Sequence, residues 1–282
     1  MLFSQRKGLK PVKSIIQVDN IDDDLRNGLW SALTLSYWDQ VHSPGLLTND
    51  PMDLLIKRIW MYYFKKPLDT LYDFWNQTLL AIKTYFFDCQ WFEVYDFIEF
   101  IANNYPDEDE SINWRFKDFC NSILETESSA YRFVGGRIAQ ITAQVEISEI
   151  EEALQITRTL KGVNTHLKTA LEMFSDRKTP DYRNSMKESI SAVEAICNLI
   201  TKEKKATLSE ALKKVEGKIA LHPALKIAFE KLYGYTCDKD GIRHALHDEA
   251  NLDLEDAKFM LVTCSAFVNY LVAKASKAGI TI

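Results

Sequence analysis

Apolar side chains recur at helical spacing through most of the chain. Leu25, Leu29, Leu33 and Tyr37 fall at four-residue steps within 22–40, the single stripe of an amphipathic helix. Asp50-Pro51 sets a capping residue before a first-turn proline and predicts a helix to about Phe64. Pro67-Leu68-Asp69 predicts another to about Phe87, and further helices are expected over about 91–104 and 110–126. The run Tyr131-Arg132-Phe133-Val134-Gly135-Gly136-Arg137-Ile138-Ala139 reads differently. Two short β-prone segments flank a Gly-Gly pair, which supplies the positive φ angles of a tight hairpin turn. It is the one β signal in the sequence and reads as a connector.

The second half returns to helical spacing. Ser148 with Glu151, and Thr207 with Glu210, have the spacing of a capping box. A helix is expected from Ser148 to about Ser175, with Ile150, Leu154, Leu160, Leu167, Leu171 and Phe174 on one side. Asp176-Arg177-Lys178-Thr179-Pro180 ends it. The next, about 181–201, carries Met186, Ile190, Val193, Cys197 and Ile200 at steps of four and three. Residues 207–233 read as one helix or as two broken at Pro223, with Gly234 as the stop. Asp253 caps a last helix to about Lys277, with Leu254, Leu261, Cys264, Val268 and Leu271 inward. The pattern predicts an all-α chain of two helical domains. They are an aromatic-rich one over 1–128 and a four-helix bundle over 148–282, joined by a β-hairpin connector over 129–147.

Composition agrees with two domains. The chain has 282 residues, of which 46% are hydrophobic and 26% charged, as in ordinary globular proteins. All six tryptophans precede residue 115. An aromatic box for stacking a ligand or RNA is one reading of that bias, and core packing is the favoured one. Five scattered cysteines without a CxxC pair speak for reduced thiols, not a disulfide framework or a zinc site. No apolar run approaches membrane-spanning length, and Met1-Leu2-Phe3-Ser4-Gln5-Arg6-Lys7 has no signal-peptide core, so a cytoplasmic protein off the membrane is expected. The net charge of −6 is uneven: residues 1–147 carry 14 Lys and Arg against 21 Asp and Glu, residues 148–282 carry 20 against 19. The second half is the half suited to meeting a polyanion.

The chemistry gathers in that half, at Asp240-Gly241-Ile242-Arg243-His244-Ala245-Leu246-His247-Asp248. Arginine is a permanent cation and histidine a proton carrier near neutral pH, so together they can act on a phosphate without a metal. In a helical segment, Arg243 and His247 would share one face. Glu194, beside the apolar seam of its helix, is a candidate to orient Arg243, with Asp240 as a second supporting residue. Lys202, Lys204 and Lys205, in a basic stretch continued by Lys213, Lys214 and Lys218, are candidate RNA contacts. The plainer alternatives are a polar helix entry with Arg243 tied to Glu194 as structure, and a solvated basic face. His42, His166 and His222 have no partner in sequence and read as ordinary. Walker, GxGxxG, HExxH and GxSxG patterns do not occur.

Two sets of residues carry a resemblance. The run Asp181-Tyr182-Arg183-Asn184-Ser185-Met186-Lys187-Glu188-Ser189-Ile190-Ser191-Ala192-Val193-Glu194-Ala195 and the segment Asp240 to His244 resemble the internal helix and the Gly-x-Arg-His segment of HEPN domains. Phe3-Ser4-Gln5-Arg6 and Asp23-Asp24-Leu25-Arg26-Asn27-Gly28-Leu29-Trp30 are similar to the N-terminal domain of AbiJ-type abortive-infection proteins. The resemblance implies a HEPN-like C-terminal bundle and a metal-independent endoribonuclease of an anti-phage or toxin-type system. Arg243, His244 and His247 would be catalytic, with no cofactor. It also implies RNA as substrate and a homodimer, and leaves room for an antitoxin or phage-derived trigger. The helices at 181–201 and 253–277, which flank the motif, are the expected dimer walls. The family motif sets four to six residues between Arg and His, whereas three separate Arg243 from His247. That spacing favours the alternative, an inactive HEPN-like module binding RNA, nucleotide or a partner protein.

Overall fold

The computed structural model describes Phe3, Lys7 and residues 16–41, 51–107, 110–176, 179–203, 208–237 and 252–282. The chain is all-α and forms two compact units that divide between Thr142 and Ala143. In the first unit the helices are α1 (Asp23–Ser36), α2 (Pro51–Arg58), α3 (Trp75–Asp88), α4 (Trp91–Asn104) and α5 (Ser111–Thr126), followed by strands β1 (Arg132–Val134) and β2 (Arg137–Ala139). Helix α4 is the hub and meets α1, α2, α3, α5 and β2. It can do so because Val94, Tyr95, Phe97, Ile98 and Ile101 are all fully buried along it. The expected stripe on α1 is realised: Leu25, Leu29, Leu33 and Tyr37 are fully buried, and Asp22 accepts the Leu25 N–H at 2.9 Å as N-cap. Gly28 lets α1 approach α5, since a Cβ there would lie 2.7 Å from Ile123 Cγ2.

Two expectations for this unit are corrected. The helix expected from Pro67 begins at Trp75 instead. Residues Leu68–Thr70 form a single tight turn, in which the Thr70 hydroxyl donates to the Pro67 carbonyl (2.7 Å) and accepts from Trp60 Nε1 (2.9 Å). That hydroxyl gives the backbone a closed alternative to a helix start. The hairpin, read as a connector, packs on α4 and α5 inside the first unit. Gly135 (φ 53°) and Gly136 (φ 89°) make its turn, as the sequence indicated. Side chains substitute for a third strand: Asn121 accepts from Phe133 N (2.7 Å) and donates to its carbonyl (3.0 Å), and Glu99 accepts from Ile138 N.

The second unit contains α6 (Gln144–Ile156), α7 (Lys161–Ser175), α8 (Tyr182–Thr201), α9 (Leu208–Glu216), α10 (Pro223–Cys237) and α11 (Leu254–Lys277). Helices α6, α7, α8 and α11 close a four-membered ring of neighbours, and α9 and α10 pack on α8. The expected bundle counted 148–175 as one helix and included 207–233, so its four members are not these. Met186, Ile190, Val193, Cys197 and Ile200 from α8 and Leu261, Cys264, Val268 and Leu271 from α11 are fully buried in it. The single helix expected over 148–175 is two. Thr157 donates to Ala153 O (2.6 Å), while Asn164 donates to Leu154 O (2.8 Å) and Thr157 Oγ1 (3.1 Å), so two polar side chains terminate α6. Ser148 is no cap: α6 starts earlier, burying Ile147 with Ile150, and Ser148 Oγ bonds to Gln144 O inside it. Residues 208–237 are two helices, and Gly234 lies within α10 because its φ stays negative. Asp253 does cap α11, in a reciprocal box with Asp256.

Candidate functional site

The segment carrying the expected chemistry runs between α10 and α11. Asp240, Arg243, His244 and His247 lie outside the described residues, as do Lys204 and Lys205. What is described is the frame on which the segment is hung. Helix α10 ends at Cys237, and α11 opens with Asp253, Glu255 and Asp256. Tyr182 and Tyr235 stand close to that opening. Burial raises the pKa of each above the ordinary phenol value, and the neighbouring carboxylates add to it: Glu255 and Asp253 at Tyr182, Asp256 and Asp253 at Tyr235. The carboxylates at the start of α11 thus act on one tyrosine at the start of α8 and on another near the end of α10. Three carboxylates there form a natural counter-charge for cationic residues.

Glu194 is half-buried on α8, where its charge, second to burial, helps push the Cys197 thiol up to about 12. It follows Tyr182 by twelve positions, about 18 Å of helix, so it stands well up the bundle from the α11 opening. Lys202 is exposed in a left-handed C-cap of α8. Two other lysines of the basic stretch have structural duties: Lys218 donates to Ile200 O (3.3 Å) and Thr201 O (3.0 Å), closing the carbonyl end of α8, and Lys214 pairs with Glu203 at 2.6 Å. His166 does have a partner, since its Nδ1 lies 2.6 Å from Glu188 Oε2 across α7 and α8. His222 Nδ1 accepts from Ala224 N (3.2 Å) at the start of α10. Among the described residues no group of His, Cys, Asp and Glu is arranged to hold a metal ion.

The sequence runs that carry the resemblances have structural duties. In α1, Leu25 and Leu29 are core, Gly28 sets the α5 crossing, and Arg26 ties α1 to the end of α3. Its guanidinium donates to Phe86 O (2.6 Å), Phe87 O (3.2 Å) and Cys89 O (3.0 Å). In α8, Asp181 caps the helix through Asn184 N (2.9 Å), and buried Ser185 donates to Ala170 O (2.8 Å) of α7. The tryptophans are mostly packing: Trp38, Trp60 and Trp75 are buried, whereas Trp114 is 64% exposed. Helix α11 is the one described helix long and apolar enough to cross a membrane, and half of its most apolar window is buried in the bundle.

The first unit, which contains helix α1 (Asp23–Ser36), is all-α and is followed by a separate helical unit. The chain belongs to the family described as AbiJ N-terminal domain 4, whose model matches residues 1–155. The match covers the whole first unit and continues through most of α6. No curated protein and no solved structure matches the chain.

Proposed function

We propose that the chain is the metal-independent endoribonuclease of an abortive-infection system, with the chemistry on the segment between α10 and α11. The observation that carries the reading is the pairing of an AbiJ-type N-terminal domain with a separate four-helix bundle whose α10–α11 connection holds Gly241, Arg243, His244 and His247. In this mechanism the RNA 2′-hydroxyl attacks the adjacent phosphorus, and the P–O5′ bond breaks to leave a 2′,3′-cyclic phosphate and a free 5′-hydroxyl. One histidine takes the 2′ proton and one gives a proton to the departing 5′ oxygen. Arg243 holds the phosphate oxygens as charge builds on them.

One Arg and two His on a single chain give little coverage of both sides of a phosphate, so two copies are expected to face each other. Helix α8 meets α7, α9, α10 and α11 and keeps Leu199 41% exposed, whereas α11 keeps the larger Phe259 57% exposed. The α11 face is the better wall. Sedimentation of the full chain is expected to give a dimer, and a monomer that still cleaves RNA would remove the composite site.

The test of function is a broad RNA panel incubated with the purified chain in EDTA. Cleavage supports the nuclease. Intact RNA held in a saturable complex would favour the second reading, a HEPN-like binding module, for which the three-residue gap between Arg243 and His247 speaks.

A further inference from the structure

Three described arginines of the first unit have readily explained partners. Arg26 closes the carbonyl end of α3, Arg58 donates to Asn104 O at the end of α4, and Arg137 pairs with Glu99 at 3.3 Å. Arg132, at the start of β1, is only 7% exposed. Its Nη1 donates to Ser129 O (2.8 Å) and Tyr131 O (2.7 Å), which are neutral acceptors. Among the described residues no carboxylate makes an ion pair with it. Glu125, exposed on α5, contributes field without contact, and the Tyr95 hydroxyl is engaged with Ser129 Oγ at 2.8 Å. Burial accordingly lowers the guanidinium's pKa, and neither neighbour restores it.

A buried cation with three of its five N–H donors unused is unusual, because an uncompensated charge costs on the order of several kcal/mol of desolvation. Among the described residues Nε and Nη2 have no acceptor, and neither is among the fully buried unpartnered atoms. They form the two parallel donors that a guanidinium offers to an oxyanion. We propose that the Nε–Nη2 edge of Arg132 is a receptor for one oxyanion, the phosphate or carboxylate group of a small ligand. The small size of the ligand follows from two features. Only 7% of Arg132 is exposed, and residues 1–147 carry 21 acidic against 14 basic residues, a field that repels a polyanion such as RNA. The site lies in the AbiJ-type domain and is independent of the ribonuclease reading.

The test is thermal unfolding of the full chain with inorganic phosphate, adenosine monophosphate or acetate, each against sodium chloride at equal ionic strength. At least one oxyanion is expected to raise Tm saturably. The responding probe assigns the source as free phosphate, a phosphate-bearing ligand or a carboxylate. Arg132→Lys, which lacks the fork, is expected to bind about tenfold more weakly, the loss of one charge-assisted hydrogen bond. Arg137→Gln should bind as the wild type does. Should Arg132 variants fail to fold, the Nε signal of Arg132 in the 15N-labelled wild type gives the same answer by shifting with the anion. Absence of any shift beyond chloride, or wild-type affinity in Arg132→Lys, would overturn the proposal. So would an anion response at other arginines with Arg132 unmoved.

Discussion

Replacing Arg243 with alanine is expected to lower RNA cleavage by about 10²–10³-fold or more while leaving the helical signal unchanged. The magnitude is that of removing a preorganised donor from a developing oxyanion, about 3–4 kcal/mol of transition-state stabilisation. The fold should survive because the described core of the bundle is built from other residues: Ile150 of α6, Leu167 of α7, Met186, Ile190 and Val193 of α8, and Leu261, Val268 and Leu271 of α11 are all buried. Cleavage rate at saturating RNA, set beside circular dichroism of the same preparation, separates the two effects. Equal rates for wild type and Arg243→Ala would remove Arg243 from the chemistry.

Phe97→Ala is expected to destabilise the first unit by about 3–5 kcal/mol, the cost of deleting a large ring from a closed core. Phe97 is fully buried on the hub helix α4, with ring centroids of Tyr63 at 5.3 Å, Phe86 at 5.9 Å and Tyr85 at 6.0 Å. The cavity has little prospect of collapsing, because those neighbours are fixed in turn; the Tyr63 and Tyr85 hydroxyls lie 2.9 Å apart, and Tyr63 donates to Glu93 O at 3.0 Å. Trp114→Ala, at a residue 64% exposed, should change stability by no more than about 0.5 kcal/mol. Urea unfolding of the three proteins checks both. A loss at Trp114 comparable to that at Phe97 would mean that the aromatic cluster is not the core described.

The helices with clean apolar stripes were legible in the sequence because burial and spacing point the same way. Leu25 to Tyr37, Met186 to Ile200 and the Asp253 cap all fall where periodicity and capping chemistry placed them. The misplaced boundaries share a different physics. At Pro67 and at Thr157 a hydroxyl or amide diverts the backbone, and its partner, Trp60 or Asn164, sits seven to ten residues away, beyond the reach of a local cap pattern. Ser148 and Gly234 carry cap-like identities at positions that packing keeps helical. For the site, sequence supplied the Arg-His cluster, and the structure describes its frame: the acidic opening of α11 with Tyr182 and Tyr235. The lysines show the limit of charge patterns. Nothing in the spelling of the basic stretch says that Lys218 closes α8 while Lys202 stays exposed. Arg132 was equally silent, since a strand arginine reads as a surface residue until its surroundings are known.

The most direct test of the account is the chemistry of the RNA ends. The wild-type chain, dialysed against EDTA and incubated with RNA, is expected to leave 2′,3′-cyclic phosphates and free 5′-hydroxyls, since the substrate's own 2′ oxygen is the nucleophile and the 5′ oxygen departs. Products carrying 5′-phosphates and 3′-hydroxyls, or RNA left uncut in EDTA, would contradict it.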